Sequence, residues 1–125
     1  MKLADTCVWI EALADTPTGA QYKSLLRDTK NLLVSTLVIF ELRKWALRVL
    51  GESAADQLMV LLLDTTVVAP DASISMHAAE LAALHRLHAI DALIYATSLS
   101  QNATLVTCDA HFKDLPQVEY AAKRA

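Results

Sequence analysis

Four acidic residues stand where a parallel α/β fold would bring them together: Asp5, Glu41, Asp91 and Asp109. Asp5 closes the apolar run Leu3-Ala4, and Asp109 follows the run Leu105-Val106-Thr107 with only Cys108 between. Asp91 heads a helical pattern carrying Leu93, Ile94 and Leu99, while Glu41 lies one to two turns into another helix. Carboxylates gathered in one pocket repel each other, and desolvation raises their pKa values further. A hard divalent cation relieves that repulsion, and carboxylate-plus-water coordination suits Mg2+ or Mn2+. An ion held in this way activates water and binds phosphate oxygens, so hydrolysis of a phosphodiester is the expected reaction class. Thr6 and Thr107 flank the pocket, where their hydroxyls can orient water or a carboxylate; helix capping accounts for both equally well.

Each acid also has a purely structural reading. Asp91 can serve as an N-cap, Asp109 can start the turn toward Phe112, and Asp5 can cap the helix after its strand. Glu41 is harder to explain that way, because Phe40, Leu42, Trp45 and Leu47 surround it in sequence and a carboxylate among apolar neighbours needs a partner. The argument rests on all four sharing one edge. Asp114 is kept as a minor candidate because it lies near Asp109.

The elements that must position these acids follow from the chain in order. Leu3-Ala4-Asp5 reads as a strand, and Thr6 to Leu13 as a helix opening at its end. Thr16-Pro17 supplies an N-cap and first-turn proline for a second helix through Tyr22, Leu25 and Leu26, closed by Asn31. Leu32 to Ser35 forms a second strand, and Ser35 or Thr36 caps a helix from about Leu37 to Leu50 that stops at Gly51. Glu41 would then sit about 6–9 Å from that helix's start, at ~1.5 Å per residue. Ser53 and Asp56 resemble a capping box for a helix through Met59, Leu62 and Leu63. Thr65 to Ala69 is a third strand ended by Pro70, followed by a helix from Ser73 to His88 with Met76, Ala79, Ala83 and Leu87 on its apolar stripe. The next helix begins at Asp91 and stops at Asn102 in a left-handed conformation. Strand four, a turn near His111-Phe112 and a weak strand at Val118-Glu119-Tyr120 complete the chain. This alternation implies an α/β fold with a central parallel sheet of four to five strands flanked by helices. Its sites belong at the carboxyl ends of the strands.

Composition narrows the class. The 125 residues are 54% hydrophobic and 20% charged, which fits one folded domain over 1–125 and excludes disorder. No apolar run approaches the ~18 residues of a membrane span. The N-terminus meets an acid at Asp5 too early for a signal peptide, so the cytoplasm is the expected compartment. Cys7 and Cys108 have neither CxxC nor zinc-ligand spacing and read as free thiols packed near the acids. His77, His85, His88 and His111 form no ligand motif, and His85 and His88 read as surface or interface residues. The net charge of −3 offers nucleic acid no global attraction. A nucleic-acid partner would need a bridging cation or a local basic surface, for which Arg43, Lys44 and Arg48 are the candidates; a solvated helix face explains them as well.

Taken together, Asp5-Thr6-Cys7-Val8-Trp9-Ile10-Glu11, Ser35 through Glu41-Leu42, Asp91-Ala92-Leu93-Ile94-Tyr95-Ala96-Thr97 and Leu105-Val106-Thr107-Cys108-Asp109-Ala110-His111-Phe112 resemble the PIN-domain family. Within it, the length and the Thr-x-Asp-x-x-Phe ending are most similar to the VapC toxins of toxin–antitoxin pairs. The resemblance covers nearly the whole chain, each motif being short and the ordered set of four specific. It implies a PIN-like three-layer α/β/α fold and a Mg2+-dependent endoribonuclease, with Mn2+ as a substitute. The family's acids then fall on Asp5, Glu41, Asp91 and Asp109. Asp5, Asp91 and Asp109 would hold the metal, Glu41 would help position the attacking water, and Thr107 would be an accessory hydroxyl. The resemblance also implies an RNA substrate, a homodimer and a cognate VapB-like antitoxin whose tail blocks the site and whose other end binds operator DNA. DNA contact would therefore be indirect, with no membrane partner; the helical surface between Leu37 and Leu63 is the expected antitoxin groove. Tyr95 stands where many relatives carry a small residue, a difference that local packing can explain.

Two other functions compete. A catalytically silent PIN-like binding or regulatory module would keep the fold, but it would be free to lose an acid, and all four are present. A phospho-acceptor receiver domain also clusters acids at this edge, yet it pairs them with a lysine after a late strand. Lys113 lies beyond Asp109 in a turn, and adjacent acids at the end of the first strand are missing.

Overall fold

The computed structural model describes residues 1–124. Its frame is a five-stranded sheet: β1 (Lys2–Ala4), β2 (Leu32–Ser35), β3 (Thr66–Val68), β4 (Thr104–Thr107) and β5 (Val118–Tyr120), in the order β3-β2-β1-β4-β5. Every neighbouring pair is parallel, with Ala4 opposite Val106 and Leu3 opposite Leu33. Parallel strands need crossover connections, and these supply seven helices: α1 (Thr6–Leu13), α2 (Pro17–Ala20), α3 (Lys23–Arg27), α4 (Thr36–Val49), α5 (Glu52–Leu63), α6 (Ala72–His85) and α7 (Ala89–Ser100). Two 3-10 turns, Thr29–Asn31 and Ala110–Phe112, complete the described elements.

The sheet's centre is its driest part. Leu3, Leu32, Val34 and Leu105 are fully buried, and Val8, Val38, Leu42, Ile94 and Phe112 pack against them from the helices. Apolar β-branched and leucine runs bounded by polar residues form strands buried on both faces, as all-parallel sheets require. The chain leaves β1 toward β2 on one side and β4 toward β5 on the other, so the direction of winding reverses between β1 and β4. A crevice at the carboxyl ends of those two strands follows from this reversal.

The predicted fold class stands, and several local expectations are corrected. The helix expected through Tyr22 and Leu26 divides into α2 and α3 around Gln21-Tyr22, with Thr16 capping Gly19 N at 3.0 Å. The capping box at Ser53 and Asp56 does not form. Gly51, at φ 94°, is the N-cap of α5, Ser53 lies inside the helix, and Asp56 instead pairs with Arg43 at 2.9 Å. α6 starts at Ala72 under an Asp71 cap and ends at Arg86 in the left-handed region, short of the predicted His88. Its buried stripe is Ile74, Ala78 and Leu81, whereas Met76, Ala79 and Ala83 face solvent. In so alanine-rich a helix several faces are apolar, and packing on α7 decides which one is buried. Asn102 does adopt φ 52°, as its place after the helix implies. Tyr95 is buried with its hydroxyl donating to Pro116 O at 2.7 Å and its ring edge-on to Phe112, which accounts for a large residue there.

Gly19 is held by close approach. A Cβ there would lie 2.0 Å from Glu11 O and 2.2 Å from Glu11 C, both backbone atoms with nowhere to go. Gly19→Ala is therefore expected to destabilise the protein by about 3 kcal/mol, the upper end of ordinary overpacking. A denaturation midpoint unchanged by the substitution would disprove that close docking of α2 on α1.

Candidate active site

The site grows from the pairing of β1 with β4. Asp5 N donates to Val106 O at 2.9 Å, which carries the ladder one residue past β1 and fixes Asp5 beside the end of β4. The Asp5 backbone is extended there, so its carboxylate caps α1: Oδ1 accepts from Thr6 N at 2.8 Å. Oδ2 accepts from Thr107 Oγ1 at 2.8 Å, with Cys7 Sγ at 3.7 Å. The same Thr107 oxygen accepts from Asp109 N at 3.0 Å. One buried hydroxyl thus joins the first acid to the backbone of the last. Asp5 is only 4% exposed, and burial is the chief reason its pKa lies well above the ordinary carboxylate range. The Cys7 thiol adds to the rise, the hydrogen bonds from Thr107 and Thr6 oppose it, and Asp91 contributes a smaller push upward.

Asp91 enters from α7. The helix begins at Ala89 with His88 as N-cap, two residues before the predicted start, so Asp91 sits within the first turn and is not the cap. No side-chain cap is made at His88, and among the described residues the Asp91 carboxylate is engaged in no hydrogen bond. Its pKa is raised, first by burial, then by Asp109, then by Glu41, while the His111 and His88 rings pull it back. Asp91 therefore faces the charges of both Asp109 and Glu41. Glu41, in α4, accepts from Thr6 Oγ1 at 2.6 Å, which ties the second turn of α4 to the start of α1 and supplies the partner its apolar neighbours withhold. Asp109 caps the 3-10 turn by accepting from His111 N at 2.9 Å, and its Oδ1 lies 2.7 Å from His111 Nδ1.

The four acids expected at one edge are thus assembled there, with Thr6 and Thr107 bonded to two of them. Asp114 takes no part; it is exposed in a left-handed turn at φ 66°. The histidines are the residues that sequence reasoning under-read. His111 pairs with Asp109, and His88 stacks edge-on against it with ring centroids 6.1 Å apart. The signal was the two-residue spacing from Asp109 to His111, which suits a short cap-and-turn. His85 packs edge-on against Tyr95 instead. Beside Glu41 and Thr6 a groove of about 370 Å3 opens, lined by Phe40, Lys44, Trp45 and Arg48. Arg43, the third basic candidate, is occupied by Asp56.

The donor set suits a hard cation, since the mutual repulsion around Asp91 is carried by carboxylates. Among the described residues, no three His, Cys, Asp or Glu side chains are drawn together tightly enough to cage an ion by themselves.

A five-stranded parallel sheet with acids gathered at its switch point defines a PIN-like α/β fold. The PIN domain family matches residues 2–118, and the chain belongs to that family. Among solved structures, the chain is similar to a toxin–antitoxin complex from Klebsiella pneumoniae, with a TM-score of 0.82 and 18% identity over 95% of this chain and 96% of that one. It is similar to VapC20 of Mycobacterium tuberculosis, a sarcin-ricin loop cleaving toxin, with a TM-score of 0.76 and 19% identity over 93% and 95% of the two chains. VapBC2 from Rickettsia felis, bound to a DNA fragment from its promoter, gives a TM-score of 0.73 and 20% identity over 95% and 97%. At such identities the likeness is one of fold. No curated protein matches the sequence. No helix among the described residues is long and apolar enough to cross a membrane.

The raised pKa of Asp91 has a definite sign. Between the ordinary carboxylate pKa and the raised one, the folded protein binds more protons than the unfolded chain, so stability is lost as pH rises through that interval. Metal-free Asp91→Asn is expected to melt above the wild type at neutral pH, with the difference closing as pH falls below about 4. Identical melting curves across that range would remove the repulsion inferred here.

Proposed function

We propose that the protein is a Mg2+-dependent endoribonuclease that hydrolyses RNA phosphodiester bonds and acts as the toxin of a toxin–antitoxin pair. The observation that carries this reading is the Thr107 hydroxyl joining buried Asp5 to the Asp109 backbone at the ends of β1 and β4, with Glu41 tied to the adjacent Thr6. In this reading Asp5, Asp91 and Asp109 would hold the metal, and Mn2+ would substitute for Mg2+. When bound, the ion would supply charge neutralisation for phosphate oxygens and an activated water. The chain's own residues do the rest. Thr107 fixes Asp5 and the Asp109 backbone in register, and Thr6 orients Glu41 so that its carboxylate can accept a proton from, and aim, the attacking water. His111 holds Asp109 in one rotamer through Nδ1.

The groove beside Glu41 favours a nucleic-acid substrate. Phe40 is 63% exposed on a helix that also presents Lys44 and Arg48, a combination that stacks bases and pairs phosphates despite the net negative charge. A VapB-like antitoxin is the proposed protein partner, by analogy with the complexes from Klebsiella pneumoniae and Rickettsia felis. The exposed Val60, Leu61 and Leu63 on α5, within the surface predicted between Leu37 and Leu63, are the apolar face it would cover. DNA contact would come through that partner, and a homodimer working in the cytoplasm completes the proposal. A single PIN unit spanning 1–125 carries all of it.

Purified protein freed of any partner, incubated with total cellular RNA and Mg2+, is expected to give discrete fragments. Asp109→Asn should lower cleavage by roughly a hundredfold or more, since even outer-sphere partners of a metal cost 10–100-fold. An Asp109→Asn enzyme with wild-type activity would refute its assigned role, and RNA from the source organism left intact by the wild type would favour a binding module.

A further inference from the structure

Cys7 and Cys108 lie 101 positions apart in the chain, yet Cys7 Sγ is 3.4 Å from Cys108 N. Cys108 N donates to Cys7 Sγ, which sets the two residues side by side, and both cysteines are free. They share this position because Cys7 is in the first turn of α1 and Cys108 directly follows β4, the two elements that the β1–β4 pairing sets side by side. Both line an open cavity of about 570 Å3, which His111, Tyr120 and Lys123 also border, so a small solute can reach them from solvent. The wiring is tight: Cys7 Sγ also lies 3.7 Å from Asp5 Oδ2 and 3.5 Å from Thr107 Oγ1. Neither thiol has a role in the chemistry proposed above.

We propose that Cys7 and Cys108 form a covalent modification site that reacts with hydroperoxides, closing to a disulfide that switches the neighbouring acid site off. Cys7, the more exposed of the two, meets the oxidant, although Cys108 and burial push its thiol well above the usual range. Its sulfur attacks H2O2, the O–O bond breaks, an S–O bond forms as sulfenic acid, and one water leaves. Cys108 sulfur then attacks Cys7 sulfur, the S–O bond breaks as the S–S bond forms, and a second water carries off the oxygen and the remaining thiol hydrogen. Two S–H groups are oxidised and one peroxide is reduced to two waters. Reduction by a dithiol reverses the step.

The S–S bond is only about 2.05 Å long, so the sulfurs must close from hydrogen-bonding separation. That closure removes the Cys7 thiol as a donor toward Asp5 and draws on backbone two residues from Asp5 and one from Asp109. Such a pair suits a reducing compartment, where the disulfides that form are typically transient and redox-sensing.

The test is to treat the reduced full-length protein with H2O2, block free thiols, and map peptides without reduction, alongside Cys108→Ala. The expected result is an intramolecular Cys7–Cys108 link with the loss of two hydrogens, reversed by dithiothreitol and absent from Cys108→Ala. Recovery of both thiols blocked, oxidation of Cys7 to sulfinic acid without a link, or links only between molecules would each overturn the proposal. The switching half rests on the nuclease reading. RNA cleavage should fall by roughly a hundredfold on oxidation, the order expected of an ~1 Å misplacement, and return on reduction. Oxidised Cys108→Ala should keep the activity of its own reduced form. If the link forms and cleavage persists, the switch fails; if the reduced protein never cleaves RNA, the nuclease reading fails while the mapped link still decides the chemistry.

Discussion

The hydroxyl of Thr107 is the joint on which the rest of the site depends. It donates to Asp5 and accepts from the amide of Asp109, with the side chain itself completely buried at the end of β4. Both bonds exist because β1 and β4 are neighbours in parallel register, with Ala4 opposite Val106. A shift of one residue in that register would turn Thr107 to the opposite face of the sheet and leave a nearly inaccessible carboxylate without its side-chain donor. The core leucines and valines around these strands therefore fix more than stability. They hold the register that places the acids.

Two forces act on the acid cluster in opposite directions. Burial and mutual repulsion favour protonated Asp5 and Asp91, while hydrogen bonds from Thr6 N and Thr107 hold the Asp5 charge in place. The cluster is thus electrostatically incomplete by construction, and a group bringing positive charge gains most by binding there. From the rim, His111 and His88 oppose the rise at Asp91.

Asp5 and Asp109 were legible in the sequence because they follow strands, and strand ends in an alternating α/β chain map onto one edge of the sheet; Glu41 and Asp91 lie within the early turns of the helices that start there. Strand ends at Asp5 and Ser35 and the helix stop at Asn102 came from local chemistry: cap geometry, buried strand runs and a tolerated left-handed residue. What stayed hidden was set by tertiary contact. The phase of α6 depends on how alanines of two helices nest, and its own composition does not reveal that. α7 starts at Ala89 under an N-cap at His88, which leaves Asp91 free of the capping role its sequence context offered. His111 reached the site only because a 3-10 turn folds it back onto Asp109.

The strand order carries a consequence for how the molecule comes into being. β1 is made first but lies in the middle of the sheet, and its partner β4 arrives about a hundred residues later, with 102 positions separating Asp5 from Thr107. Contacts of such long sequence separation form late, because the loop entropy must be met before they are gained. Synthesis runs from the N-terminus at roughly 5–20 residues per second. A growing chain therefore displays β1, β2 and β3 with one flank of β1 unpaired, and Asp5 remains without Thr107 and Asp109 for seconds. Acid assembly and sheet completion become the same event, so a partly made chain lacks the acid cluster.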